Sequence, residues 1–211
     1  MTGLSGVWAS LERWGPHLFF LGAVFELVFA VNNGLAFLLD GFSFVDWLYP
    51  TVLLGRGVVL LGIAGLSVRV TDWSPRIGKW SQMVLAVAFV FTIGLLSLSL
   101  LEIAGVTIPW DTPITAVFGL GTVALTVITF ALFGVLILRS GAFSTATGGL
   151  LLAAAVTVVG VFVGLNVLPS RLAGGVGEGV LFVLFLVTSY RLRTEFTMTD
   201  RPEPASNTVA E

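Results

Sequence analysis

The chain has no cysteine and one histidine, His17, which excludes disulfides, thiolate nucleophiles, cysteine-held metals and histidine clusters. Charge is scarce as well. Only 10% of the 211 residues are Asp, Glu, Lys or Arg, and the net charge of -2 is too small to imply nucleic acid or an acidic surface as partner. The sequence contains no phosphate loop, no paired-histidine zinc helix, no nucleophile elbow and no serine-histidine-acid set. Lys79 follows Gly78, but no upstream glycine completes a phosphate loop, and the lysine reads as a topology determinant. No cofactor and no metal are expected, and an enzyme is not the leading expectation.

What the chain does have is apolar length. Hydrophobic residues make up 56% of it and the mean hydropathy is +1.03, values outside the range of water-soluble domains. A hydrocarbon core of ~30 Å needs ~20 apolar residues of helix to cross it. Six windows of that kind occur, bounded by charge, proline or tryptophan: 16–39, 50–68, 81–105, 113–138, 149–168 and 172–190. The expected fold is all-α, a polytopic integral membrane protein built as a six-helix transmembrane bundle. Residues 1–15 are expected to form an interfacial segment, with Trp8, Leu11 and Trp14 at helical spacing, 16–193 the membrane domain, and 194–211 a polar disordered tail. The first window is longer than a signal peptide, carries Glu26 and Asn32-Asn33, and lacks a small-residue cleavage site, so it is read as a retained helix.

Basic residues segregate across these spans. Arg13, Arg69, Arg76, Lys79, Arg139, Arg191, Arg193 and Arg201 fall on one side and only Arg171 on the other. The positive-inside rule then gives a multi-pass protein of the cell membrane with both termini in the cytoplasm. Trp8, Trp14, Trp47, Trp73, Trp80 and Trp110 all fall at or beyond span ends, where an amphipathic indole is favoured. Helix association in lipid relies on small residues, so Gly160 and Gly164 in the fifth span, Gly62, Gly65 and Gly94, and the row Thr115, Gly119, Thr122, Thr126 and Thr129 in the fourth span are expected to be packing faces, not ligand sites.

The polar residues inside the spans carry the functional question. An ionisable side chain in a span costs roughly 2.5 to 3.5 kcal/mol, so it faces the bundle interior and has a partner. Glu26, Arg56 and Glu178, with the amides Asn33 and Asn166, are the candidate ligand-binding residues. At ~1.5 Å per residue, Arg56 lies ~20 Å along its helix from Arg69, and Glu178 ~20 Å from Arg191, which puts both in the outer half. Asn33 and Asn166 lie ~25 Å from their span starts, while Glu26 falls nearer the middle. Arg56 and Glu178 are therefore expected to be neighbours, with Glu26 as the second choice of partner. Glu26 and Asn33 are seven residues apart and share a helix face. Glu102 and His17 read as interface residues.

Two stretches match each other, Gly55-Arg56-Gly57-Val58 and Gly177-Glu178-Gly179-Val180, each followed by an arginine thirteen residues after the central charge. The flanking glycines let a neighbouring backbone approach or let the helix break, and the run 173–177 is a place for irregular backbone. The stretch Gly174-Gly175-Val176-Gly177-Glu178, followed by an apolar span and Tyr190-Arg191-Leu192-Arg193, is similar to the last helix of a family of uncharacterised six-span prokaryotic membrane proteins. That family often has a Gly-x-x-Glu-Arg step, and here Gly179 stands at the arginine position. The resemblance covers about twenty residues, implies six spans and implies no activity.

Three functions compete on this reading. An outward-facing polar pocket would bind or pass a small polar solute, an ion or a lipid headgroup, the bilayer being the other partner. A structural or accessory subunit would use the charges only to lock its helices. An intramembrane enzyme would act through Glu26 or Glu178. A cavity lined by Arg56 and Glu178 and open to the outer face favours binding; a dry pair favours the lock.

Overall fold

A computed structural model describes the backbone of residues 2–39, 49–165 and 167–199. It is a bundle of six helices with no strand among the described residues: α1 (Thr2–Leu38), α2 (Tyr49–Trp73), α3 (Pro75–Ile103), α4 (Pro113–Ser140), α5 (Thr145–Gly164) and α6 (Ser170–Thr199). All six are long and apolar enough to cross a membrane, and they coincide with the six windows of the sequence. The fold class is the expected one.

Local chemistry sets several ends. Pro113 opens α4 behind an N-cap, Thr112, whose hydroxyl accepts from the Thr115 amide, and Gly141 closes the same helix at φ 65, where a side chain would be strained. Ser144 caps α5 in the same way through the Thr147 amide. Pro75 stands in the first turn of α3, where its missing amide hydrogen leaves no gap in the ladder.

Two stretches, one read as a span start and one as a place for irregular backbone, are continuous helix. α1 runs continuously through Pro16, and the segment before it packs lengthwise: a Cβ on Gly65 would lie 2.5 Å from the Leu11 carbonyl oxygen. The loss of one ladder bond at Pro16 is tolerated within a helix held on two sides, and the Ser189 hydroxyl of α6 donates to the Pro16 carbonyl at 2.7 Å. The glycine run 173–177 is also helical, because its bare backbone is where neighbouring helices come close. A Cβ on Gly177 would stand 1.9 Å from a Val161 methyl, and one on Gly175 3.3 Å from the Gly34 amide. At the other end α6 stays helical past Arg193 to Thr199. The tail beyond it lies outside the described residues, as does Trp47.

Helix directions alternate. α1 starts and α6 ends on one face of the bundle, called the terminal face below, and the opposite one is the far face. Each helix packs on the next in sequence, α6 closes on α1, and α2 also reaches α4 across the middle. α2 is the most enclosed, with 67% of its most apolar window buried against 44% or less in every other helix. The residues that other helices turn outward are Val, Ile, Leu and Phe, as lipid requires.

The centre of the terminal half is filled. Phe19, Phe185 and Phe130, from α1, α6 and α4, are fully buried and meet edge to face, with ring centroids 6.1 Å and 5.7 Å apart. Val59, Leu60, Ile63, Leu66, Phe133 and Ile137 pack in the same core. Gly62 and Gly94 take the expected packing role against Phe19 and Phe118. Gly160 does not: a Cβ there would meet nothing within 4 Å, so it faces outward and forms no small-residue contact within the chain.

Candidate functional site

α1, α2 and α6 form a three-helix face on which one residue of each carries charge. Close approach makes this possible. A Cβ on Gly55 would lie 2.7 Å from Phe25 Cβ, and one on Gly22 2.3 Å from a Val59 methyl, so α1 and α2 pass nearly backbone to backbone beside Arg56. Arg56 Nε donates to Glu26 Oε1 at 3.1 Å, and its Nη2 donates to both Glu178 oxygens at 3.0 Å. The guanidinium thus bridges two carboxylates from two other helices. Its planar fork is suited to this in a way an ammonium is not.

The three groups are not equally enclosed. The Glu26 side chain is 0% exposed and its Oε2 is buried without a hydrogen-bond partner, while Arg56 and Glu178 side chains keep 11% and 6% exposure. Two carboxyl groups thus face one guanidinium at a depth where hydrocarbon, not water, surrounds the bundle.

The small exposure of Arg56 and Glu178 is toward a cavity. Its volume is about 150 Å³, and it lies among α2, α3, α4, α5 and α6 in the far half. Arg56 and Glu178 form its polar floor, Leu53, Leu95, Val158 and Val161 its apolar walls, and the exposed helix-end residues Tyr49 and Leu165 its mouth. Thr122 and Gly119 of α4 face it as well, so the row of small residues on α4 divides: Thr126 and Thr129 are buried packing positions, while Gly119 and Thr122 line open space. That corrects the expectation of a packing face along the whole row. Toward the terminal face the way is closed by the three phenylalanines, since Phe19 and Phe185 stand two helical turns from Glu26 and Glu178 on their own helices.

Of the five candidate residues, Glu26, Arg56 and Glu178 come together. Asn33 is on the same α1 and α6 seam nearer the far face, where its side chain covers Gly174: a Cβ on that glycine would lie 3.3 Å from Asn33 Nδ2. Asn166 lies outside the described residues. Arg56 and Glu178 are neighbours as expected, but Glu26 is a full partner and not an alternative. Sequence reasoning set its depth from Pro16; the true reference is Glu12, which pairs with Arg69, and Glu26 stands fourteen residues above Glu12 as Arg56 stands thirteen above Arg69. Glu102 is at the far interface, exposed, and accepts from Trp110 Nε1 at 2.8 Å. Among the described residues no three His, Asp or Glu side chains cluster closely enough to hold a metal ion.

No family model matches the chain, and no curated protein or solved structure matches it either.

Proposed function

We propose that this chain is a multi-pass protein of the cell membrane that binds a small polar solute or ion in the far-half cavity, using Arg56 and Glu178 as the recognition groups. The observation that carries the reading is that the two charges are at once paired with each other and open to the same cavity. A group serving only as a helix lock would have no reason to face unfilled space. With a volume well below the roughly 300–1,000 Å³ of drug-sized pockets, the cavity suits a small solute or ion and not a lipid headgroup. Glu178 presents carboxylate oxygens at the cavity floor, which favours a cation or a hydrogen-bond donor as ligand. The distribution of basic residues puts both termini in the cytoplasm and the mouth of the cavity on the outer side. Passage through the bundle would require the phenylalanine layer to open, so binding is the primary reading and transport a consequence of movement there.

One observation favours the rival, a structural or accessory subunit. Glu26 is wholly buried and holds Arg56 from the side away from the cavity, which is what a lock between α1 and α2 would do. The two readings divide over whether water and small ions reach the floor. An enzymatic role is the least favoured, because Arg56 engages both carboxylates that would have to act as acid or base.

The chain has no cysteine, so single cysteines can be placed without removing any. Thr122→Cys lines the cavity, and Val156→Cys, exposed on the lipid side of α5, is the control. A small cationic methanethiosulfonate should modify Thr122→Cys faster than an anionic one of similar size, and neither should modify Val156→Cys. If Thr122→Cys is as inert as the control, the cavity is dry and the lock reading replaces this one.

A further inference from the structure

We infer that the terminal face carries a second site, distinct from the cavity above, that binds an anionic phospholipid between α1 and α6. Its headgroup part is a depression of about 410 Å³ formed by the ends of α1, α2 and α6 and lined by Arg13, His17, Arg69, Arg193, Thr197 and the single acid Glu12. Three arginines against one carboxylate leave a surplus of positive charge. Glu12 is committed to Arg69, whose guanidinium also lies over the Phe196 ring at 4.7 Å and near the Phe143 ring at 5.4 Å. That holds Arg69 in place and leaves the other two arginines for a ligand. Arg13 has no carboxylate partner among the described residues, and Arg193 reaches only His17 Nδ1, at 3.5 Å. An anion with several acceptor oxygens fits between them, and a phosphodiester is of that kind.

A separate feature says that the anion is attached to an acyl chain. A groove of about 240 Å³ runs along the outside of α1 and α6, lined by Phe20, Leu186, Ser189 and Tyr190, and Arg193 borders it too. Arg193 therefore belongs to both hollows, the basic one at the interface and the apolar one running into the membrane. Phe20 and Tyr190 are exposed on helices that span the bilayer, so lipid is what meets this groove. A soluble phosphate would use the first hollow and leave the second without a role; a phospholipid fills both. Basic pockets between spans at the membrane surface are the usual form of such sites.

The test uses the purified full-length protein in zwitterionic nanodiscs doped with phosphatidylglycerol, with lipid retention read by native mass spectrometry against phosphatidylcholine. Each arginine is expected to contribute about fivefold to retention of the anionic lipid. R13Q/R193Q should then lose nearly all preference for it, whereas R139Q, on the same face but outside the hollow, should keep it. L186W, which fills the groove, should weaken phosphatidylglycerol binding without changing the effect of inorganic phosphate on thermal stability. Because neither Arg13 nor Arg193 pairs with a carboxylate among the described residues, the double variant should fold with an unchanged melting temperature when no anionic lipid is present, which separates lost binding from lost structure. Equal retention of the two lipids by the wild type, an equal loss in R139Q, or stabilisation by inorganic phosphate matching that by the lipid would each overturn the proposal.

Discussion

Arg56 and Arg69 stand on one helix, thirteen residues apart, and each faces a glutamate of α1, yet their surroundings differ in every other respect. Arg56 lies inside the bundle between two carboxylates, with an apolar cavity on its open side. Arg69 lies at the terminal face with one carboxylate and two phenyl rings, at the edge of an open depression. The pairing chemistry is the same. What differs is what can replace a lost partner: bulk water at Arg69, and at Arg56 only what fits into a narrow cavity. Energetic weight in this protein should therefore follow depth and not the number of ion pairs.

The sharpest test of that comparison removes each arginine in turn. Arg56→Ala leaves two buried carboxylates facing each other, a loss of about 3–5 kcal/mol by the usual cost of breaking a buried pair. Folded yield and the melting temperature in detergent should both fall steeply. Glu26→Gln with Glu178→Gln in the same chain should restore much of the loss, because the uncompensated charge is then gone. Arg69→Ala should cost about 1 kcal/mol, made up of a partly exposed ion pair and its ring contacts, and the effect should shrink as salt is raised. Equal losses at the two positions would mean that depth does not govern them. Exchanging the charges, Arg56→Glu with Glu178→Arg, keeps one cation between two carboxylates and should recover part of the loss of either single change. A swap no better than the single changes would show that the geometry of the guanidinium, and not charge balance, holds the three helices.

A second prediction separates the two carboxylates. Glu26 is fully enclosed and Glu178 faces the cavity, so Glu26→Gln should act on stability alone, whereas Glu178→Gln should also change the cavity. In the Thr122→Cys background, Glu178→Gln should reduce the preference for a cationic over an anionic methanethiosulfonate, and Glu26→Gln should reduce it less. The reverse order would assign the recognition role to the wrong residue.

Much of this was legible in the sequence because lipid imposes simple rules. Span length, the placement of arginine and tryptophan, and the cost of charge in hydrocarbon were enough to find six helices and to bring Arg56 to Glu178. The third member of the cluster was misjudged for one reason. Pro16 reads as a helix start, which places Glu26 too near the midplane, while the pairing of Glu12 with Arg69 that fixes the true register is a tertiary contact with no local signal. The glycine run 173–177 misled in a similar way, since bare backbone inside a helix and bare backbone outside one read alike until the neighbours, Val161 and Asn33, are known. The charges at the cavity floor were legible, but its walls were not. Its walls are mainly Val and Leu, with Thr122, from α2, α3, α4 and α5, residue types found throughout the bundle, and only their mutual placement leaves one half open.

A smaller effect is expected where α6 meets the start of α5. Glu195 accepts from the Ser144 amide at 3.1 Å, from the Ser144 hydroxyl at 2.5 Å and from the Thr147 hydroxyl at 2.9 Å, which satisfies donors at a helix start and adds negative charge there. Glu195→Ala should lower stability by about 0.5–2 kcal/mol, the range of a lost cap. Backbone hydrogen exchange should quicken in the first turn of α5 and not in the rest of that helix. Uniform quickening along α5 would mean that Glu195 holds the helix in the bundle and does more than close its end.

The smallest effect should come from the remaining membrane-region glutamate, and it bears on the comparison most directly. Glu102 is in the far half like Glu178 and accepts a good hydrogen bond, from Trp110 Nε1 at 2.8 Å, but it is exposed near the end of α3. A carboxylate there keeps its water if the tryptophan leaves, so no charge is stranded. Glu102→Gln, which keeps an acceptor for the indole, should change stability by no more than about 0.5 kcal/mol, within the usual range for surface substitutions. Glu178→Gln, the same change of one carboxylate to an amide, should cost several times as much, because it weakens the hold on a buried guanidinium. Melting temperatures of the two variants, measured side by side in one detergent, decide it: a loss at Glu102 as large as at Glu178 would mean that position in the bilayer, and not enclosure within the bundle, sets the value of a charge in this protein.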